Sequence, residues 1–273
     1  MSDGAHNVDR MQPVAPEPLF DDDFLDAPRA VAYASSPAPP LVASATWCDR
    51  IGVFDLETTG VDVAEDRIVT AHVGVLDAEG GLVRQYTWLA DPGVDIPEGA
   101  TAVHGITTAH ARAHGRPSPE VVGEIVAALR AIFAEGLPVV AYNAPFDFSM
   151  LKYEALRNGL PPILDPSPVI DPLVLDKCVD RYRKGKRTLD AVCAHYEVVL
   201  EAAHTAAADA VAAGRVAQVL AQRFADRLPA DGASLHTSQI AWARAQAESL
   251  TEYFIRIGRI DKDDRLDGSW PIR

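Results

Sequence analysis

The chain has 273 residues, of which 48% are hydrophobic, and a formal net charge of −14. This length and composition predict a globular protein with one sizeable core and extensions, and they exclude a membrane-spanning helix because no apolar run is long enough. Three cysteines without Cys-x-x-Cys spacing argue against a disulfide framework or a zinc site and fit a reducing, cytoplasmic environment.

The first segment, residues 1–46, is rich in Pro, Ala, Ser and Asp. Such a composition cannot bury enough apolar surface to offset the entropy of ordering, so we predict a disordered acidic tail. Within it, residues 19–25 combine apolar and acidic side chains and form a candidate docking motif, although a solvated tail is the simpler interpretation. We also expect no secretory signal, because Met1 is not followed by a basic and then an apolar stretch.

The central segment, residues 47–226, is predicted to be one α/β domain. Short β-branched and apolar runs predict strands at 51–57, 67–76, 82–89, 138–142 and 169–170. Gly80 and Gly81 mark a hairpin between the second and third strands. Val103 to Thr107 lead into a helix, and further helices are expected at 118–134, 145–158, 172–180, 188–196 and 205–224. In the helix at 118–134 we expect Ser118 to be the N-cap and Gly136 to end the helix. A hairpin followed by alternating strands and helices predicts a mixed sheet flanked by helices.

The final segment, residues 227–273, carries apolar side chains at helical spacing over 235–257. We expect one amphipathic helix that packs on the core and then a short tail. A partner or self-association surface is the alternative for this helix.

Three acidic motifs stand at element boundaries. Asp55 and Glu57 follow the first strand and lie on one side of it, because side chains alternate along a strand. Asp147 follows the break at Pro145, and His204 and Asp209 open the last helix of the central segment. Adjacent carboxylates repel each other unless a divalent cation lies between them, and Mg²⁺ and Mn²⁺ prefer oxygen ligands.

Asp-x-Glu, Asn-x-x-Phe-Asp and His-x₄-Asp, in this order, resemble the DEDDh exonucleases, the DnaQ-like family that includes the proofreading subunit of bacterial replicative polymerase. The resemblance covers about residues 49–224 and implies a ribonuclease-H-like fold. It also implies 3′→5′ hydrolysis of single-stranded DNA with two Mg²⁺ or Mn²⁺ ions, held by Asp55, Glu57, Asp147 and Asp209. His204 is the implied general base, since histidine exchanges protons near physiological pH.

Substrate contacts are also expected from the resemblance. Leu56, Thr58, Thr59 and His104 occupy positions that the family uses near the terminal nucleotide, and Asn143 belongs to the second motif. One departure is Tyr142, where many relatives have histidine, which puts the local substrate contact in doubt. Residues 181–187 hold five cations, and from their isolation we predict phosphate binding by Arg183, Lys186 and Arg187.

The net charge indicates how this protein would bind nucleic acid. Seven acids against two arginines in residues 1–48 account for five of the net negative charges, so the remainder is still acidic. Nucleic-acid-binding proteins usually present a basic surface, and we therefore expect weak, non-processive binding at a strand end. Replication or repair proteins are candidate partners for the tail or the last helix. An exoribonuclease of the same superfamily and a catalytically silent binding module are the alternatives.

Overall fold

The computed structural model describes residues 45–201 and 204–273. The strands are β1 (Ile51–Thr58), β2 (Ile68–Leu76), β3 (Leu82–Asp91), β4 (Arg116–Pro117), β5 (Val139–Val140) and β6 (Val169–Ile170). The helices are α1 (Glu98–His104), α2 (Thr108–His114), α3 (Ser118–Ala134), α4 (Ala144–Arg157), α5 (Pro172–Val179), α6 (Leu189–Tyr196), α7 (Ala206–Arg223) and α8 (Gly232–Arg256).

One six-stranded sheet runs in the order β4-β3-β2-β1-β5-β6. β1, β2 and β3 are antiparallel, whereas β5 and β6 run parallel to β1. The turn between β2 and β3 depends on Gly80, which adopts a φ of 76°, where a side chain would be strained. This is the mixed, helix-flanked sheet of the ribonuclease-H-like fold that the sequence predicts.

The two faces of β1 pack into different cores. Phe54 and Leu56 lie in the core beneath α3 and α4, while Ile51 and Val53 lie in the core beneath α7. α7 approaches the sheet closely at Gly214, where an added Cβ would meet a methyl carbon of Val53 at 2.6 Å. Because side chains alternate, β1 carries its two acids on the α7 face.

α8 packs on the core, as the sequence analysis favoured, and covers the free edge of β6. Gln239 is fully buried and accepts a hydrogen bond from the Asp171 N–H (2.7 Å), and it donates to the Val169 carbonyl (3.0 Å). His236 accepts from the Val169 N–H through Nδ1 (3.0 Å). Side chains of a helix therefore replace the missing neighbouring strand. In the described part of the chain, every helix is too short or too polar to span a membrane.

Most predicted elements are confirmed with small shifts at their ends. The predictions missed α1 and β4, and the strand expected at 138–142 is limited to β5. Ser118 does not cap α3 as predicted: it is the first helical residue, and its hydroxyl donates to Glu154 (3.0 Å). Of the predicted tail, only residues 45 and 46 are described, and the Thr46 N–H donates to the Ala230 carbonyl (3.0 Å). The rest of that tail, with the motif at 19–25, lies outside the described residues.

Candidate active site

Three carboxylates meet at the carboxyl end of β1. Asp55 and Glu57 project from β1 toward α7, and Asp209 lies in the first turn of α7. One oxygen from each of the three side chains lies within 4.8 Å of the others, and all three side chains are partly exposed. The geometry therefore offers converging oxygen ligands that solvent can reach.

Asp147 approaches the same strand from the opposite core. It lies in the first turn of α4 and is 3% exposed, and its Oδ1 accepts a hydrogen bond from the Leu56 N–H (3.1 Å). The three-carboxylate cluster does not include Asp147, but the charge of Asp147 acts directly on Asp55. The structure thus places the four predicted acids around one strand end, with Asp147 tied to the backbone of β1.

Burial and mutual repulsion raise the pKa values of these acids. Burial raises the pKa of Asp55 well above its ordinary range, and the charges of Asp147, Glu57 and Asp209 raise it further. Burial and then Asp209 raise the pKa of Glu57 to about 7. Burial also raises the pKa of Asp147 and of Asp209, against hydrogen bonds from backbone N–H groups. Each ionised carboxylate therefore makes ionisation of the other carboxylates less favourable.

The donor set fits a divalent cation. Converging carboxylate oxygens are the ligands that Mg²⁺ and Mn²⁺ prefer, and a bound cation would reverse the repulsion within the cluster. Asp55, Glu57 and Asp209 are placed to hold such an ion, and Asp147 adds negative charge beside it.

His204 is exposed just before α7, with a φ of 68° in the left-handed region. Its backbone N–H donates a hydrogen bond to the Asp209 carboxylate. The Thr205 hydroxyl then caps α7 by accepting from the Ala208 N–H (3.3 Å). The histidine is therefore attached to an acid of the cluster through its backbone, and the residue is exposed to solvent.

Sequence reasoning missed Asp171, which organises the start of α4. This aspartate is almost fully buried, and its two oxygens accept hydrogen bonds from the N–H groups of Asn143 and Ala144, both at 3.0 Å. Asn143 adopts a φ of 60°, so these amides point into the protein toward Asp171. Asp171 also caps α5 through the Leu173 N–H (3.0 Å). An aspartate directly before Pro172 is an ordinary helix-cap signal and could have flagged it.

The predicted nucleotide contacts differ in their surroundings. The Leu56 side chain is 5% exposed and lies in the core, so only its backbone borders the site. Thr59 is buried and its hydroxyl donates to Asp66 (2.9 Å), and the Thr58 hydroxyl donates to the Gly60 carbonyl (2.6 Å). His104 ends α1 beside the backbone of Thr58, and burial lowers its pKa.

The basic loop is partly occupied by internal ion pairs. Arg183 and Arg187 both bind the buried carboxylate of Asp176, with Arg183 Nη2 at 3.0 Å. The Tyr142 hydroxyl donates to the Arg187 carbonyl (2.5 Å), which fixes the loop to the second motif. Lys186 is exposed. The two arginines therefore have a structural role, and phosphate could reach them only if these ion pairs opened.

Comparison with known proteins identifies the family. The family model described as Exonuclease (RNase_T) matches residues 53–217, which is more than half of the chain. The chain belongs to this exonuclease family. That membership confirms the DnaQ-like resemblance of the motifs and gives the carboxylate cluster the setting of a metal-dependent exonuclease domain.

Two curated relatives illustrate the similarity. The chain is 31% identical over 203 residues to a DNA polymerase III PolC-type protein of Lacticaseibacillus paracasei, covering 74% of this chain and 13% of the relative. It is 32% identical over 198 residues to a DNA polymerase III subunit epsilon-like protein of Rhodobacter capsulatus, covering 71% and 26%. The chain thus corresponds to a minor part of each relative.

Among solved structures, E. coli exonuclease I in complex with a dA16 oligonucleotide superposes with a TM-score of 0.54 at 20% identity. The match covers 64% of this chain and 41% of the exonuclease I chain. At this identity the comparison shows a shared fold.

Proposed function

We propose that this protein is a 3′→5′ exonuclease that acts on single-stranded DNA ends with two divalent cations, Mg²⁺ or Mn²⁺. The observation that carries the proposal is the convergence of Asp55, Glu57 and Asp209 within 4.8 Å at one strand end. The oligonucleotide bound to E. coli exonuclease I and the polymerase names of the relatives support DNA as the substrate.

In the proposed reaction, water attacks the last phosphodiester phosphorus, and the bond from this phosphorus to the 3′ oxygen of the penultimate nucleotide breaks. The terminal nucleotide is released as a nucleoside 5′-monophosphate, and the 3′ oxygen takes up a proton from solvent. The remaining strand gains a new 3′-hydroxyl. Divalent cations in such sites stabilise charge on the attacking and leaving oxygens. Asp55, Glu57 and Asp209 hold the cations, and Asp147 completes the site from α4.

His204 is the proposed general base that takes the proton from the attacking water. Its exposed position and its attachment to Asp209 through the backbone support this role. Thr58 and His104 lie together at the end of β1, where they border the space proposed for the terminal nucleotide. Lys186 remains the proposed phosphate contact of the basic loop.

The test is a cleavage assay with single-stranded DNA, 3′-recessed DNA, blunt DNA and RNA, each labelled at the 5′ end. Reactions contain Mg²⁺, Mn²⁺ or EDTA and use the natural chain, Asp55→Ala and a control, Asp95→Ala. Asp95 is an exposed acid paired with Arg112 (2.8 Å), away from the carboxylate cluster.

We expect a metal-dependent ladder that shortens from the 3′ end in the natural chain and in Asp95→Ala but not in Asp55→Ala. Immediate release of the labelled terminal nucleotide would instead indicate 5′→3′ cleavage. Preference for RNA would replace DNA with RNA as the substrate, and full activity in Asp55→Ala would refute the metal assignment.

A further inference from the structure

Residues 266–273, named here the C-terminal strap, connect α8 to α4. At one end the Leu266 N–H donates to the Thr251 hydroxyl of α8 (3.1 Å). At the other end the Arg273 N–H donates to the Ser149 hydroxyl of α4 (2.8 Å). Ser149 lies two residues after Asp147, so the strap contacts the helix that carries an acid of the proposed active site.

Trp270 is the most buried large side chain of the strap. It is 6% exposed, and its ring lies against the His236 ring with centroids 5.0 Å apart. Its indole Nε1 donates to Oδ2 of the buried Asp171 at 3.3 Å. A buried carboxylate needs such donors because burial without them is costly.

The same oxygen holds the beginning of α4. Asp171 Oδ2 accepts hydrogen bonds from both the Trp270 indole and the Ala144 N–H, while Oδ1 accepts from the Asn143 N–H. Asn143 is the N-cap of α4, and Ala144 is the first residue of the turn that presents Asp147. Hydrogen bonds thus link the strap to the backbone at the start of α4, three residues before Asp147.

We propose that Trp270 is a positioning residue for the nuclease site, which fixes the start of α4, and therefore Asp147, through Asp171. The inference rests on the proposed function, because it assigns the strap a part in that same site. Among the described residues, loss of the indole N–H would leave Asp171 Oδ2 with one donor, the Ala144 N–H, which is the group that this oxygen positions. The first turn of α4 would then move more freely. Small displacements of catalytic groups reduce rate strongly.

Trp270→Phe removes the N–H and keeps an aromatic ring, and Trp47→Phe is the matched control. Trp47 is 4% exposed, and its Nε1 donates to the Pro229 carbonyl at 3.2 Å. The Trp47→Phe variant therefore loses an equivalent hydrogen bond outside the Asp171 network. Both variants are compared with the natural full chain in Mn²⁺ affinity, measured without substrate, and in oligonucleotide cleavage.

For Trp270→Phe we expect the Mn²⁺ dissociation constant to rise about 10-fold and kcat to fall about 10-fold, as for loss of an outer-shell partner. KM for the oligonucleotide should stay within about twofold, because the lost interaction acts on the reacting groups and not on strand binding. Trp47→Phe should leave all three values unchanged.

Equal Mn²⁺ affinity and kcat in the two variants would overturn the positioning role, as would a change in KM alone. If the natural chain binds Mn²⁺ but cleaves no oligonucleotide, the proposed function fails, while the Mn²⁺ comparison still decides the inference. If Trp270→Phe does not fold, Ser149→Ala, which removes the hydroxyl that anchors Arg273, replaces it under the same criteria.

Discussion

The burial of Glu57 and the repulsion within the carboxylate cluster predict how the stability of the metal-free protein depends on pH. Glu57 has a pKa of about 7 in the folded protein, against an ordinary value of 4.5. Between these values the folded protein keeps a proton that the unfolded chain has released, so the free energy of unfolding falls as pH rises through this window. The glutamine introduced by Glu57→Gln cannot ionise, so this variant should not show that fall in the free energy of unfolding.

The magnitude follows from the size of the rise in pKa. A rise in the pKa of Glu57 from 4.5 to about 7 lowers the free energy of unfolding at high pH by about 3 kcal/mol at most. The carboxylate is partly exposed, so solvent screening reduces the expected effect to about 1–2 kcal/mol. For a chain of this size that difference moves the melting temperature by about 2–8 °C.

Thermal unfolding in EDTA across pH 4.5–8.5 measures the effect, with Glu79→Gln, an exposed glutamate in the β2–β3 hairpin, as the control. Glu57→Gln should match the natural chain near pH 4.5 and become the more stable protein by pH 8. Saturating Mn²⁺ should reverse the order at pH 8, because the natural chain has one more ligand. A stability difference that does not change with pH would refute the electrostatic account.

Three other substitutions separate catalysis, binding and structure. His204→Gln should lower kcat about 10²-fold and leave the Mn²⁺ affinity unchanged, because it removes the proposed base but no proposed ligand. Steady-state kinetics measures kcat, and calorimetric titration measures the Mn²⁺ affinity. A parallel loss of Mn²⁺ binding would contradict the assignment. Asp176→Ala should lower the free energy of unfolding in urea by about 3 kcal/mol, because it leaves two largely buried arginines unpaired. Lys186→Ala should leave stability unchanged and raise KM at low salt; unchanged KM would remove Lys186 from the phosphate contacts.

The sequence predicted the features of this fold that depend on local periodicity. The alternation along Ile51–Glu57 was enough to place two acids on one face, and Gly80 marked the hairpin, because both signals lie within a few neighbouring residues. By contrast, α1 is only seven residues long and contains Gly99 and Thr101, which are poor helix formers, so its local sequence gives a weak helix signal.

Long-range polar contacts could not be predicted in the same way. Asp171 and Trp270 are 99 positions apart, and nothing in either local sequence points to the other. The basic loop was interpreted from its charge and from its place between the second and third motifs. The structure adds that Arg183 and Arg187 pair with Asp176 of α5, which locally resembles an ordinary helical acid. Such a distant partner cannot be identified from the charge of the loop.

The acids within this fold divide into those surrounded by hydrogen-bond donors and those surrounded by other acids, and this division supports the proposed active site. Although burial raises the pKa of Asp176, hydrogen bonds from Arg183 and Tyr196 bring it below its ordinary value. Asp171 is also surrounded by donors, which oppose the rise in pKa that its burial causes. For Asp55 the acting neighbours are other carboxylates, all of which raise its pKa. At Asp55 the proposed cation would supply the compensation that hydrogen-bond donors supply for the structural acids.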